Sequence, residues 1–270
     1  MPDPLAAVAA WPVTAAVAVV TAEGIGATAG DLDRPRPWAS VSKLLTALSV
    51  LVAVEEGTLS LDDPAGPPGS TVAHLLAHAS GVAPDGPRVL APPGTRRIYS
   101  NAGFELLGQA LEEAAGMPFA AYLRAATIEP LGMVATTFTG SPAAGAHGPL
   151  RDLTRLATEL LAPRLVSPAT LDAASHVAFP GLDGVLPGYG PQRPNDWGLG
   201  FEIRGRKDPH WTGRSNSPAT FGHFGRSGSF VWVDPEAGVA LAELADEPWG
   251  PWALEAWPPL ADAVLAAHRH

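Results

Sequence analysis

The sequence predicts an α+β fold: an antiparallel sheet formed from both chain ends, flanked by helices, with a mostly helical lobe inserted between its halves. Three observations lead there. A β-branched run, Val13 to Val20, stands near the start. Strand candidates return only after Trp197, and the last two close a hairpin around Asp234-Pro235-Glu236-Ala237-Gly238. Between them lie segments of helical periodicity separated by Gly- and Pro-rich turns. On this reading residues 1–270 form one domain, with a sheet lobe at 1–56 and 195–270, a helical lobe at 57–194, and a cleft between them.

The first strand ends at Gly24 and Gly26 and has a partner through Thr28 to Gly30. Ser40 to Glu56 contains no Gly or Pro and is apolar at Leu44, Leu45, Leu48, Leu51, Val52 and Val54, which predicts a buried helix. Pro35 and Pro37 prevent an earlier start, and Gly57 supplies a left-handed end. Ser70 or Thr71 caps a short helix through Val72, Leu75 and Leu76, stopping near Ser80-Gly81. Pro84 to Pro93 reads as loop. Asn101 to Ala115 is amphipathic, and Met117-Pro118 opens a helix ending near Pro130. Gly140 to Pro149 reads as a linker, followed by helices at Leu150–Leu161 and Pro168–Val177 and a turn-rich stretch from Pro180 to Pro194. Trp197 to Ile203, Phe221 to Phe224, Ser229 to Val233 and Val239 to Leu244 are the later strands, and a helix from Trp252 to His268 closes the chain.

Composition narrows the function. At 46% hydrophobic and 16% charged residues the chain can bury a core, and its 29 Gly and 29 Pro imply long connections without low complexity. A net charge of −10 argues against nucleic acid or an anionic membrane as a partner. The absence of cysteine excludes disulfides and thiolate chemistry. Met1 to Trp11 carries no Lys or Arg ahead of the short apolar run, so that run is read as a strand and the protein as cytoplasmic.

Three stretches carry chemistry. Ser40 and Lys43 share one face of the buried helix in its first turn, where burial and the positive end of the helix dipole both favour a neutral amine. A neutral amine beside a hydroxyl is a general base; the plainer alternative has Ser40 capping the helix and Lys43 extending to water. Tyr99-Ser100-Asn101 offers a phenol as proton carrier and an amide, or else merely an N-cap at Asn101 and a packed aromatic. In Gly222-His223-Phe224-Gly225-Arg226-Ser227-Gly228 the glycines allow close approach along a strand. His223 then lines the cleft, and the backbone N–H of Arg226 faces an oxyanion together with that of Ser40; the plainer alternative is a Gly-rich edge with an ordinary histidine.

Together these stretches resemble the motifs of the serine β-lactamase and penicillin-binding-protein superfamily, in its branch of class C β-lactamases, family VIII esterases and D-amino-acid peptidases. The resemblance extends through Leu59-Ser60-Leu61-Asp62-Asp63-Pro64, His74-Leu75-Leu76-Ala77-His78-Ala79-Ser80-Gly81, Glu129-Pro130-Leu131-Gly132-Met133 and Trp197-Gly198-Leu199-Gly200, in family order. It implies a β-lactamase/transpeptidase-like fold. It implies Ser40 as acylated nucleophile, Lys43 as base, Tyr99 as proton relay, and Asn101 as the group holding Lys43 or a substrate amide. His223 stands in for a lysine, and Gly225 keeps the strand clear of substrate. Two departures bear on substrate. Phe224 occupies a position where a small hydroxylated residue is common, and His223 supplies less fixed positive charge than lysine. Both disfavour efficient recognition of penicillins and cephalosporins and point to a small carboxylic ester as substrate, with β-lactamase or D-amino-acid peptidase/amidase activity as the alternative.

No cofactor is implied. His74 and His78 are four apart, but Leu75 stands where a metalloprotease needs Glu, so no metal site is expected. Arg204, Arg206, Lys207 and Arg214 form a basic loop, read as solvated or else as a clamp for an anionic substrate. Trp249, Trp252 and Trp257 are read as packing for the last helix. A non-catalytic, ligand-binding descendant is the alternative of a different class. Oligomeric state is left open.

Overall fold

The computed structural model describes residues 3–268. In chain order, a 3-10 helix (Ala6–Ala10) and strands β1 (Ala15–Thr21), β2 (Gly24–Ala29) and β3 (Arg36–Pro37) lead into a second 3-10 turn, Ala39–Val41, and helix α1 (Ser42–Glu55). Helices α2 (Val72–Leu76), α3 (Asn101–Ala115) and α4 (Phe119–Leu123) follow, the last running into a wider π turn at Arg124–Ile128. Strands β4 (Thr137–Phe138) and β5 (Ala146–Gly148) precede α5 (Leu150–Leu161) and α6 (Pro168–Ser175). A small hairpin, β6 (Gly184–Leu186) and β7 (Gly190–Gln192), leads to β8 (Glu202–Ile203), β9 (Phe221–Gly225), β10 (Ser229–Asp234), β11 (Val239–Ala245) and α7 (Pro251–His268).

The expected antiparallel sheet from both chain ends is present, in the order β2-β1-β11-β10-β9-β8. Its centre joins the two ends of the chain: Ala15 stands opposite Ala245 and Thr21 opposite Val239. β1 is buried on both faces because successive side chains alternate. Ala16, Ala18 and Val20 meet the helical core, and Val17 and Val19 meet the layer that includes Trp257, Leu260 and Val264 of α7. The helix α5 packs against β1, β10 and β11, so residues 150–161 cover the sheet rather than join the helices around α3.

Helix α1 is the axis of the molecule. Every residue from Ser42 to Ala53 is buried, and each leucine there contributes about 1.5–3 kcal/mol by leaving water. Gly57 follows it with φ 74°, a conformation that favours glycine. The turn before α1 is gripped from two sides. On one, Ser229 Oγ donates to the Trp38 carbonyl at 2.8 Å, and a Cβ on Gly225 would lie 2.5 Å from that carbonyl oxygen. On the other, Trp38 Nε1 donates to the Gly148 carbonyl at 3.1 Å, and Ser42 Oγ accepts the Ala146 N–H at 3.0 Å.

Several elements differ from expectation. The Gly140 to Pro149 linker contains β5, which pairs with β3 and β4 in a three-stranded sheet. The turn-rich stretch before Pro194 contains the β6–β7 hairpin. The strand expected from Trp197 to Ile203 shrinks to Glu202–Ile203, because Gly200 turns with φ 92° to pass against Ala47 of α1. The cap of α3 is Ser100, whose Oγ accepts the Gly103 N–H at 2.8 Å, so the amide of Asn101 is free for other use. Among the described residues no helix is long and apolar enough to cross a membrane.

Candidate active site

Five side chains from distant segments meet at the N-terminal end of α1. Tyr99 Oη donates to Ser40 Oγ at 2.8 Å, and Lys43 Nζ stands 3.4 Å from the same oxygen. Lys43 Nζ also donates to Asn101 Oδ1 at 2.8 Å and to the Ala143 carbonyl at 3.0 Å. Asn101 Nδ2 in turn donates to the Asp85 carboxylate at 3.2 Å, which fixes the orientation of the amide. The ring of His223 lies 5.8 Å from that of Tyr99, centroid to centroid. Ser40, Tyr99, Asn101, His223, Phe224 and Arg226 all line one cavity of about 280 Å³.

The protonation states follow from burial. Lys43 is fully buried, and desolvation lowers its amine from 10.5 to about 7, with Glu105 and Asp85 opposing the shift. Lys43 therefore does not extend to water, and Ser40 does not cap α1, whose N-cap is Val41. A neutral amine has two N–H bonds and one lone pair. The two N–H bonds are taken by Asn101 Oδ1 and the Ala143 carbonyl, so the lone pair is left for the Ser40 hydroxyl. Burial pushes the Tyr99 phenol well above its ordinary value, so it is protonated and donates.

His223 is neutral. Its Nδ1 donates to the Phe224 carbonyl at 2.7 Å, leaving Nε2 as a buried lone pair with no partner among the described residues. Burial, then the nearby Lys43, lowers its ring to about 3. Phe224 packs in a ring cluster with Tyr189, Trp211, Trp249 and Trp257, at centroid distances of 5.7, 5.7, 5.9 and 6.1 Å. The amide N–H groups of Ser40 and Arg226 enter none of the turn, loop or strand hydrogen bonds among the described residues. Gly225 has a neighbour other than the cleft, since a Cβ there would strike the Trp38 carbonyl and Ser229 Oγ.

Other groups at the site carry no sequence motif of their own. The Ala143 carbonyl lies in the stretch read as linker, where a backbone acceptor gives no side-chain signal. Arg97 is buried and donates to the carbonyls of Ala77, Ala178, Phe179 and Asn195, tying three segments to the stretch that leads into Tyr99. Lys207, read as part of a solvated basic loop, is buried and paired with Glu202, which also accepts from Trp211 Nε1 at 2.9 Å. The pair His74 and His78 is split. His74 Nδ1 meets Thr71 Oγ1 at 2.9 Å, whereas His78 lies beyond α2 and accepts the Ser100 N–H.

Comparison with known proteins agrees with this architecture. The Beta-lactamase family model matches residues 8–251. A beta-lactamase from Mycobacterium bovis (Mb2281c) shares 54% identity, with a TM-score of 0.97 over 98% of this chain and 99% of that one. Simvastatin synthase (LovD) from Aspergillus terreus shares the fold at 18% identity, with a TM-score of 0.82 over 100% of both chains. The D-alanyl-D-alanine-carboxypeptidase/endopeptidase AmpH of Escherichia coli (strain K12) is 29% identical over 149 residues. That match covers 42% of this chain and 39% of AmpH, so the chain spans well under half of that relative.

Proposed function

The chain belongs to the beta-lactamase family of serine hydrolases, and on that premise we propose that it cleaves small carboxylic esters through an acyl-enzyme on Ser40. The observation that carries the reading is the convergence on Ser40 Oγ of a neutral amine and a protonated phenol. Lys43 takes the Ser40 proton as Oγ attacks the carbonyl carbon. The free N–H groups of Ser40 and Arg226 support a role in holding the oxyanion. Collapse of the tetrahedral intermediate expels the alcohol, which takes the Tyr99 proton, and the proton held by Lys43 restores the phenol. Water then repeats the sequence on the acyl-enzyme. Asn101 holds Lys43 with its lone pair toward Ser40.

Neutral His223 and the ring-packed Phe224 offer no fixed cation for a substrate carboxylate, which supports an ester over a penicillin or cephalosporin. The 54% identity to a protein described as a beta-lactamase favours lactam hydrolysis as the second reading, with D-amino-acid amides beside it. The test is incubation with p-nitrophenyl esters, nitrocefin and a fluorophosphonate, followed by mass spectrometry of the adduct. Ester turnover and a phosphonyl mark on Ser40, both absent in Ser40→Ala, are expected. No turnover and no mark across acyl lengths would instead favour a protein that only binds a ligand.

A further inference from the structure

His78 contributes no group to the proton path, yet three parts of it converge on Tyr99. Its carbonyl accepts the Ile98 N–H at 2.9 Å, and its ring Nδ1 accepts the Ser100 N–H at 3.1 Å. Its imidazole packs on the phenol with centroids 4.7 Å apart, and meets Trp197 edge-on at 4.5 Å. One residue thus engages the N–H groups of both chain neighbours of Tyr99, Ile98 and Ser100, and packs on its ring. Residues 98–100 lie in neither helix nor strand, so no ladder supplies these contacts.

The backbone of His78 has φ 54°, which few residues other than glycine adopt. The side chain is 1% exposed, and because Nδ1 accepts, its proton sits on Nε2, which has no partner among the described residues. Burial first, then Lys43, His223 and Arg97 around it, hold the ring well below its ordinary value and so neutral. A protonated ring could not accept from Ser100. Through Ser100 the grip extends to the cap of α3, and so to Asn101.

We propose that His78 is a positioning residue: it sets the depth and tilt of Tyr99 so that the phenol stays within hydrogen-bond reach of Ser40 Oγ. The proposal rests on the hydrolase reading above. Lys43 keeps a hold on the Ala143 carbonyl that does not pass through Ser100, so loosening His78 impairs the phenol before the base.

A double-mutant cycle tests it on a p-nitrophenyl ester, with thermal melts as a control for folding. His78→Phe keeps a ring but removes the acceptor. His78→Asn keeps an acceptor and tolerates the left-handed backbone. The expected result is a kcat about 10²-fold lower in His78→Phe with KM changed less than about twofold. His78→Asn should recover about tenfold of that loss or more. In a Tyr99→Phe background, His78→Phe should cost less than about twofold further, since the group it positions is gone. If His78→Phe does not fold, His78→Ala takes its place in the same cycle. Wild-type kcat in the single variant, or an undiminished loss in the Tyr99→Phe background, overturns the proposal alone. A wild type without Ser40-dependent turnover overturns the hydrolase reading and this proposal with it.

Discussion

Tyr99 Oη donates to Ser40 Oγ across 2.8 Å, while Lys43 Nζ stands 3.4 Å from that oxygen on another side. In the proposed mechanism the shorter contact belongs to the proton donor and the longer one to the base. The serine hydroxyl can accept from the phenol and donate to the amine at once, so a single chain of protons runs from Tyr99 through Ser40 to Lys43.

Activity should depend on pH through Lys43. Its amine is lowered from 10.5 to about 7, so it is charged and useless as a base below that pH and neutral above it. Ester turnover, corrected for spontaneous hydrolysis, should rise about tenfold per pH unit below 7 and level off above it. A flat profile between about pH 5 and 9 would remove Lys43 from the role of base.

Tyr99→Phe should leave substrate binding nearly unchanged and lower kcat by about 10²- to 10⁴-fold, the range for a positioned proton donor. Steady-state kinetics on one ester separates the two constants. Turnover equal to wild type would reduce Tyr99 to packing.

Gly225→Ala should harm the site from behind. The added methyl meets the Trp38 carbonyl, Ser229 Oγ and Ala39, all at the turn that carries Ser40. A destabilisation of about 1–3 kcal/mol in chemical denaturation is expected, with slower phosphonylation of Ser40. An unshifted midpoint with normal labelling would show that β9 can move aside.

Glu243 should make the fold weaken as pH rises. It is fully buried on β11, Trp257 Nε1 stands near it without a hydrogen bond of good geometry, and burial, opposed by that indole, raises its acid well above the ordinary 4.5. The native state then keeps a proton that the unfolded chain loses above about 4.5, so stability falls as pH climbs from there toward the raised value. Glu243→Met should stabilise the protein by about 1–3 kcal/mol at pH 8 and by little at pH 4. Parallel pH–stability curves for the two proteins would count against a buried neutral acid.

Long periodic elements were legible in the sequence. Asn101–Ala115 and Leu150–Leu161 fold with the bounds their patterns predict, and the β10–β11 hairpin forms around its expected turn. Strands of two or three residues were not, because β3 is defined by a partner far along the chain, and β4 and β5 are too short to show an alternation of their own. At the site, Ser40, Lys43, Tyr99, Asn101 and His223 were legible because their side chains carry a chemistry at a recognisable spacing. His78 was weighed as a metal ligand, since nothing in its neighbours reveals a left-handed backbone. Lys207 looked like a surface charge because its partner, Glu202, stands in a segment read as ordinary strand.

The pairing of β1 with β11 has a consequence for biosynthesis. A nascent chain that has exposed Ala15 through Leu161 already holds the serine, the amine, the phenol and the amide. It lacks the strand that lies along one edge of its first strand and the glycine-bearing strand that braces the turn before Ser40. Assembly of the reactive centre is therefore deferred until β9, β10 and β11 have emerged, and a ribosome-stalled fragment that stops short of them should remain inert toward acylating probes.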